Sequence, residues 1–531
     1  MTKKKTSLAG IAGIVALATL ISKIFGLFRE QAIAAAFGVG PVVNAYAYAY
    51  VIPGFLLILL GGINGPFHSA LVSVLSKRDK SEAANIVETV STVVSLVLLG
   101  VGGVLILYAG FFIDILAPGL DETTRSLAIL QLRIMSPLAV LAGLIGIGFG
   151  TLNAADQYWL PSISPLFSSL AVLIGLGVLA WQVGGDINTP DYIRLGGVVL
   201  AGGTLAGGVL QWGAQLWAQM QSQLGKLRLR FDLGNEGVKE VLRVMTPATL
   251  SSGMLHINVY TDLFFASYIA GAAAAMRYAN FIVLTPLGII SNMILVPFMP
   301  VFSKLAAPEN WDELKNRIRQ GILLTALTML PLTAIFMSLS GPIVEVIYQR
   351  YAFSADAARF VAPVLMTYGF GMFFYLARDV LVRVFYALGD GETPFRVSLF
   401  NIFLNAGLDY VLVNQFQTPG LVMATIGVNV TSMLILIGVL NRRLDGLPLR
   451  EWGMILLALF GISAVAGLAS FGVSQFWQGW LGTDNIFWLL GDLIVCSGVA
   501  VSLFMGLAML LQLPELNLLV TRLKQKFFKR G

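Results

Sequence analysis

Apolar runs recur from one end of the chain to the other, separated by short clusters of charged and turn-forming residues. Runs of about 18 or more predominantly apolar positions are long enough to cross about 30 Å of hydrocarbon as helices. They are too long and too continuous for the alternating apolar and polar positions of a membrane β-barrel. The pattern predicts an all-α polytopic membrane protein with 14 transmembrane helices, at residues 8–37, 43–75, 86–117, 126–153, 159–181, 195–219, 240–269, 274–302, 320–341, 357–388, 394–415, 420–440, 452–474 and 486–511. Several exceed the minimum of about 20 residues, so tilt, bends or short extensions beyond the bilayer are expected.

Composition agrees that lipid, not water, is the main solvent: of 531 residues 57% are hydrophobic and only 12% are charged. The first apolar run continues far past the length of a cleaved signal peptide and lacks a clear processing site, so it is read as a span. Placing Lys3, Lys4 and Lys5 in the cytoplasm puts most of the 34 Lys and Arg there too, including Lys77, Arg78, Lys80, Lys226, Arg228, Arg230, Arg442, Arg443 and the C-terminal KQKFFKR. That asymmetry follows the positive-inside rule and makes both termini cytoplasmic. The formal charge of +6 is then an orientation signal, and no nucleic-acid partner is expected. The single cysteine, Cys496, excludes an internal disulfide and a thiolate metal cluster. No GxxxxGK(S/T) loop is present and the loops are too short for an ATPase domain, so neither ATP drive nor a bound cofactor or metal is expected.

Six cations lie within or at the ends of the spans: Lys23, Arg29, Arg133, Arg277, Arg378 and Arg383. Each is costly in lipid and should face protein, a water-filled cavity or headgroups. Arg133 and Arg378 leave two readings open: a functional cation, or a long side chain that snorkels to phosphate or pairs locally, Arg378 with Asp379. Lys23 and Arg29 are six residues apart, which separates their faces by about 120° on a helix. They need not grip one group. Glu30 is placed to neutralise one while the other projects into a cavity.

The chain also repeats itself. ALVSVLSK at residues 70–77 echoes PFMPVFSK at 297–304, with YAYVIPG and YANFIVLTPLG upstream. LNAADQYWLP at 152–161 echoes YALGDGETP at 386–394. An offset of about 230 residues covers six spans, and an even number gives both halves the same orientation, an arrangement used by secondary transporters that rock two halves about a central site.

At these segments the chain resembles a known family. SKIFGLFRE, residues 22–30, resembles the SRVLGFxRD signature of the MurJ/MviN lipid II flippases, within the multidrug/oligosaccharidyl-lipid/polysaccharide (MOP) exporter superfamily. The resemblance continues through ILVPFMPVFSKLA, YALGDGETPFRVSL and NIFLNAGLDYVLV and covers nearly the whole chain; the combination is specific where each stretch alone is weak. It implies two six-helix lobes, at 1–225 and 226–445, followed at 446–531 by two outer helices that form a lipid-tail groove and a basic tail. It implies movement of the undecaprenyl-linked peptidoglycan precursor from the cytoplasmic to the outer leaflet of the bacterial inner membrane by alternating access, with no catalytic residue. Expected partners are that precursor, membrane lipids and cell-wall synthases, for a monomeric carrier.

Carried over residue by residue, the resemblance is uneven. Lys23 stands where the family has an arginine, Arg29 matches a second, and Glu30 takes the place of its acidic neighbour. Asn44 falls where many members carry an aspartate. In span 2 the family pattern RIPNLLRRLLGEGAL becomes VIPGFLLILLGGINGPF, so Leu57 replaces an arginine and Gly62 a glutamate. In span 8 YADRL becomes YANFI, with Phe281 in place of an arginine. Arg277, four residues earlier and near the same helix face, is placed to compensate. Arg383 resembles the arginine of the RxFYALGD motif and is placed at a cytoplasmic gate. The expected substrate-binding set is therefore Lys23, Arg29, Arg277 and Arg383, supplying charge-assisted hydrogen bonds to a pyrophosphate.

Asn258 and Asp262 lie four apart on one stripe of span 7, near His256; with Asn44 they form either a polar network between helices or a site for a cation or proton. Gly61, Gly62, Gly65 and Pro66, around Asn64, predict a bend or local unwinding that serves as a gate or hinge, with close helix packing as the other reading. Coupling to a monovalent cation or to the membrane potential is left open. Two other functions are weighed: export of another polyprenyl-linked or small-molecule substrate, and a non-transporting protein that kept the fold.

Overall fold

The computed structural model describes residues 8–62, 65–254, 257–482 and 485–516, and these residues are helical throughout apart from turns and connecting segments. The chain forms two compact units: Met1–Ala274 with Arg350–Phe353, and Ala275–Gln349 with Ser354–Gly531.

The first unit holds α1 (Leu8–Phe37), α2 (Pro41–Gly61), α3 (Pro66–Leu75), α4 (Lys80–Leu107), α5 (Ala109–Leu116), α6 (Glu122–Met135), α7 (Leu138–Ala154), α8 (Trp159–Ile163), α9 (Pro165–Val183), α10 (Ile193–Gln221), α11 (Glu236–Met254) and α12 (Ile257–Ala266). Local chemistry sets several starts. Asp79 accepts from the backbone N–H groups of Ser81 and Glu82 at 3.0 and 2.9 Å and so begins α4. Helices α2, α3 and α9 open on proline, which lacks the N–H that a first turn leaves unsatisfied. Helix α1 stops at Gly38, whose φ of +57° suits glycine and where any side chain would meet the Ala352 carbonyl oxygen at 2.5 Å.

Helix α7 sits among α2, α3, α4 and α10. Its glycines allow this: a side chain on Gly146 would lie 1.9 Å from the Leu60 carbonyl oxygen. Small residues let membrane helices approach where no hydrophobic driving force separates protein from lipid. Leu60, Leu71, Val87, Ile147 and Val241 form part of the resulting core, which draws α11 onto α3 and α4.

The second unit holds most of α13 (Ala272–Lys304), then α14 (Trp311–Ser338), α15 (Ser340–Tyr348), α16 (Ala355–Ala387), α17 (Glu392–Arg443), α18 (Leu449–Leu481) and α19 (Ile486–Met509). Helix α14 packs on α16 and α18, α16 on α17, and α18 on α19. The 52 residues of α17 are two helices joined at a kink, where Gln417 has φ 53° and ψ −131°. At that reversal a side chain on Gly420 would lie 2.3 Å from the Leu412 carbonyl oxygen, so the connection closes only around glycine.

Among the described residues, ten helices are long and apolar enough to cross a membrane, or up to eleven if α6 and α7, bent by 41°, make one span. Large apolar side chains such as Trp181, Leu107, Phe476 and Ile494 are highly exposed on the outside, as lipid-facing helices require. The molecule is an all-α polytopic membrane protein.

Candidate functional site

On α1, which packs against α8 and α9, the polar residues separate into two settings. Lys23 is exposed. The Arg29 side chain is 25% exposed and donates from Nε and Nη2 to Glu30 Oε1 at 3.2 and 2.8 Å, while Glu30 itself is 1% exposed. Glu30 thus neutralises Arg29 rather than Lys23.

Helix α2 carries the next group. Asn44 is buried, and its Oδ1 accepts from the Ala274 N–H at 3.3 Å, satisfying a donor in the first turn of α13. Tyr46 shares a hydrogen bond of 2.9 Å with Thr204 on α10 and stacks on Tyr50. Leu57, where the family places an arginine, is partly buried against the apolar core. The helix ends at Gly61; Gly62 and Gly65 are both extended, and α3 restarts at Pro66. The expected break in span 2 is therefore present in the backbone. Asn64 and His256 lie outside the described residues. On α12, Asp262 is buried, and Asn258 Oδ1 is buried without a hydrogen-bond partner, a polar edge inside an apolar helix.

In the second unit, Arg277 and Phe281 are both partly exposed, one turn apart on α13. Arg383 is exposed near the end of α16, and Arg378 pairs with Asp379 at 3.7 Å, the local pairing considered for it above. The turn after α16 is a polar knot. Asp390 accepts from the Thr393 N–H at 2.9 Å and hydroxyl at 2.8 Å, and from Arg443 Nη1 at 2.7 Å. Partial burial pushes the Asp390 carboxyl upward, but these donors and the Arg443 charge outweigh it and hold the group below the usual carboxylate range.

Sequence reasoning passed over two buried polar clusters in this unit. On α17, Asn401 donates to Ser432 and Asn405 Nδ2 donates to Asp409 Oδ2 at 2.8 Å, all four residues being buried. Between α18 and α19, Asp492 accepts from Ser474, Gln478 and Cys496 at 2.9, 2.8 and 3.0 Å and is fully buried. The signal for the first was present: Asn401, Asn405 and Asp409 recur every four residues in an apolar run, one polar stripe on a helix. Among the described residues, no three His, Cys, Asp or Glu side chains gather as a metal site.

A family model described as lipid II flippase MurJ matches residues 33–490. A probable lipid II flippase MurJ from Synechocystis sp. is 64% identical over 525 residues, 99% of this chain and 98% of that protein. A lipid II flippase MurJ from Burkholderia cenocepacia is 27% identical over 471 residues, covering 87% of this chain and 89% of its own. Among solved structures, lipid II flippase MurJ in an inward closed conformation has a TM-score of 0.72 at 22% identity, over 92% of this chain and 97% of that chain. An inward-facing multidrug resistance MATE transporter of the MOP superfamily has a TM-score of 0.64 at 15% identity, over 82% of this chain and 98% of that one. These last two show a shared fold; the match of most of the sequence to one family model, joined to a near full-length relative, shows that the chain belongs to the MurJ lipid II flippase family.

Proposed function

We propose that this chain moves lipid II, the undecaprenyl-linked peptidoglycan precursor, from the cytoplasmic to the outer leaflet of the bacterial inner membrane by alternating access. It is a transporter and not an enzyme. The observation that carries this reading is family membership across nearly the whole chain. The physics fits: a flippase must shelter a large polar head while leaving the tail in lipid, and no covalent bond has to break. Lys23, Arg29, Arg277 and Arg383 form the cation set that meets the pyrophosphate. Arg29 is held in position by Glu30, and Arg277, one turn from Phe281, supplies the charge that Phe281 does not. The break at Gly61, Gly62, Gly65 and Pro66 is the hinge of span 2.

The full architecture in this reading has 14 spans in two six-helix lobes plus two outer helices. Separating α17 at Gln417, counting α1, and joining α11 to α12 extend the apolar set in that direction. The repeat divides the sequence near residue 225, whereas packing of α11 on α3 and α4, of α12 on α5, and the Ala274 hydrogen bond to Asn44 carry the first compact unit to Ala274. The termini are cytoplasmic, on the strength of the Lys and Arg asymmetry. The inside-negative potential drives an anionic headgroup outward by about 2.3 kcal/mol per charge per 100 mV. A monovalent cation on the polar face holding Asn258 and Asp262 is the second coupling route, and imposed potential and ion gradients applied to reconstituted protein separate the two. The small-molecule exporter reading rests on fold likeness and on the apolar residues Leu57 and Phe281 at positions where arginines are expected.

The test replaces a host's essential lipid II flippase with this protein and measures lipid II exposed at the cell surface. Restored exposure that is lost with Arg29→Ala or Arg277→Ala supports the flippase and its cation set. Well-inserted protein that fails to restore exposure in a matched host refutes it.

A further inference from the structure

The connection between α10 and α11 has an unusual surface. Its sequence alternates charged with apolar residues, Lys226-Leu227-Arg228-Leu229-Arg230-Phe231-Asp232-Leu233. The segment is not helical, and Leu227, Leu229, Phe231 and Leu233 are 72%, 77%, 64% and 53% exposed. Four large apolar side chains in succession, outside any span, form a surface that water disfavours.

The segment is nonetheless held in place. The Lys226 N–H donates to Glu88 Oε1 at 3.0 Å, and the Arg230 N–H donates to Thr92 Oγ1 at 3.1 Å. The Thr92 hydroxyl lies 3.4 Å from the Arg228 carbonyl oxygen, and the Arg230 guanidinium reaches Asn85 and Glu88. Glu88 and Thr92 are buried polar residues on a membrane-spanning helix, and both accept hydrogen bonds from this connection, while the Thr92 hydroxyl donates within α4 to the Glu88 carbonyl oxygen at 2.8 Å. The same contacts fix its depth. Thr92 lies one turn, about 6 Å along the helix axis, before Leu96 and Val97, which are exposed on the apolar outside of α4. The segment therefore lies beside the level at which α4 passes from polar to lipid-facing, the depth at which amphipathic surface segments lie.

We propose that residues 226–233 are a membrane-surface anchor: Leu227, Leu229, Phe231 and Leu233 enter the boundary of the acyl chains, and the exposed Lys226 and Arg228 bind anionic phospholipid headgroups. Arg230, turned to Asn85 and Glu88, fastens the anchor to α4. The occupant is lipid because the apolar patch adjoins the lipid-facing side of α4 and its two exposed charges are both positive.

The test uses the full chain, whose native Cys496 is buried, with a bimane probe on Leu229→Cys in nanodiscs of brominated phosphatidylcholine. Val97→Cys serves as the lipid-facing reference, and Asp312→Cys, with a fully exposed side chain, as the water-facing one. The expected result is quenching at Leu229 close to that at Val97. With brominated phosphatidylglycerol mixed in, preference for it over phosphatidylcholine falls about fivefold for each of Lys226→Ala and Arg228→Ala. Quenching and emission matching Asp312 would overturn the anchor. So would a probe shielded from both lipid and water that cross-links to another protein or a second copy. Quenching by lipid with no change of headgroup preference in the two alanine variants would overturn the anionic-headgroup assignment.

Discussion

The ion pair on α1 and the polar clusters of the second unit solve the same problem in opposite ways. Arg29 keeps a quarter of its side chain exposed and leans on a buried carboxylate one residue away, so its charge is neutralised without being sealed off. Asp409 and Asp492 are fully enclosed, and Asp492 has three donors from α18 and α19. An accessible cation can still exchange partners with a passing anionic headgroup. The Asp492 carboxyl, enclosed and satisfied from both α18 and α19, chiefly binds those two helices together, because each supplies groups that have no water to fall back on.

The strongest way to break this contrast is Arg29→Ala. Loss of a charge-assisted contact to a pyrophosphate should slow translocation about 10- to 100-fold, read as surface-exposed lipid II in the complemented host, with Arg29→Lys restoring part of it. Wild-type exposure in a stably inserted Arg29→Ala protein would place the functional cation elsewhere. Next in size, Asp492→Ala leaves the Ser474, Gln478 and Cys496 donors without their acceptor and should cost about 1–3 kcal/mol of stability. Thermal unfolding in detergent measures the loss, and translocation per folded molecule should stay near wild type. If translocation collapses while the unfolding temperature holds, Asp492 takes part in transport and the contrast is wrong.

A smaller effect comes from pH. Asp390 is held below the usual carboxylate range in the folded state, so its contribution is present above its ordinary, unfolded value and is lost as pH falls through the depressed one. Its worth should be on the order of 1 kcal/mol or less, because Arg443 is partly exposed. Asp390→Asn should flatten the acid limb of the unfolding temperature against pH; an unchanged limb would show that other carboxylates govern it. Smallest of all is Lys23→Ala. An exposed side chain should move stability by less than about 0.5 kcal/mol, and translocation should fall less than with Arg29→Ala.

Much of this protein was legible as a string of residues. Solvent class, helix content and the likeness to lipid II flippases follow from apolar run lengths and from motifs such as SKIFGLFRE and YALGDGETP, because a bilayer admits few backbone solutions and each leaves a long, one-dimensional signature. The break in span 2 was readable for the same reason: GGINGP is local chemistry. The polar stripe of Asn401, Asn405 and Asp409 was readable by period and was overlooked.

Other features needed the folded chain. Which cation Glu30 serves depends on side-chain geometry within α1, and the 120° between Lys23 and Arg29 left either partner open. That Asn44 satisfies the first turn of α13 joins residues 230 positions apart. The extension of the first compact unit past residue 225 comes from the apolar core that receives α11 and from the packing of α12 on α5. The sequence by itself determined the solvent, the all-helical class and the family, all of which are properties of neighbouring residues. Tertiary structure alone decided which charges are enclosed and which remain available, because burial depends on the helices that pack around a side chain and no run of neighbours along the chain encodes it.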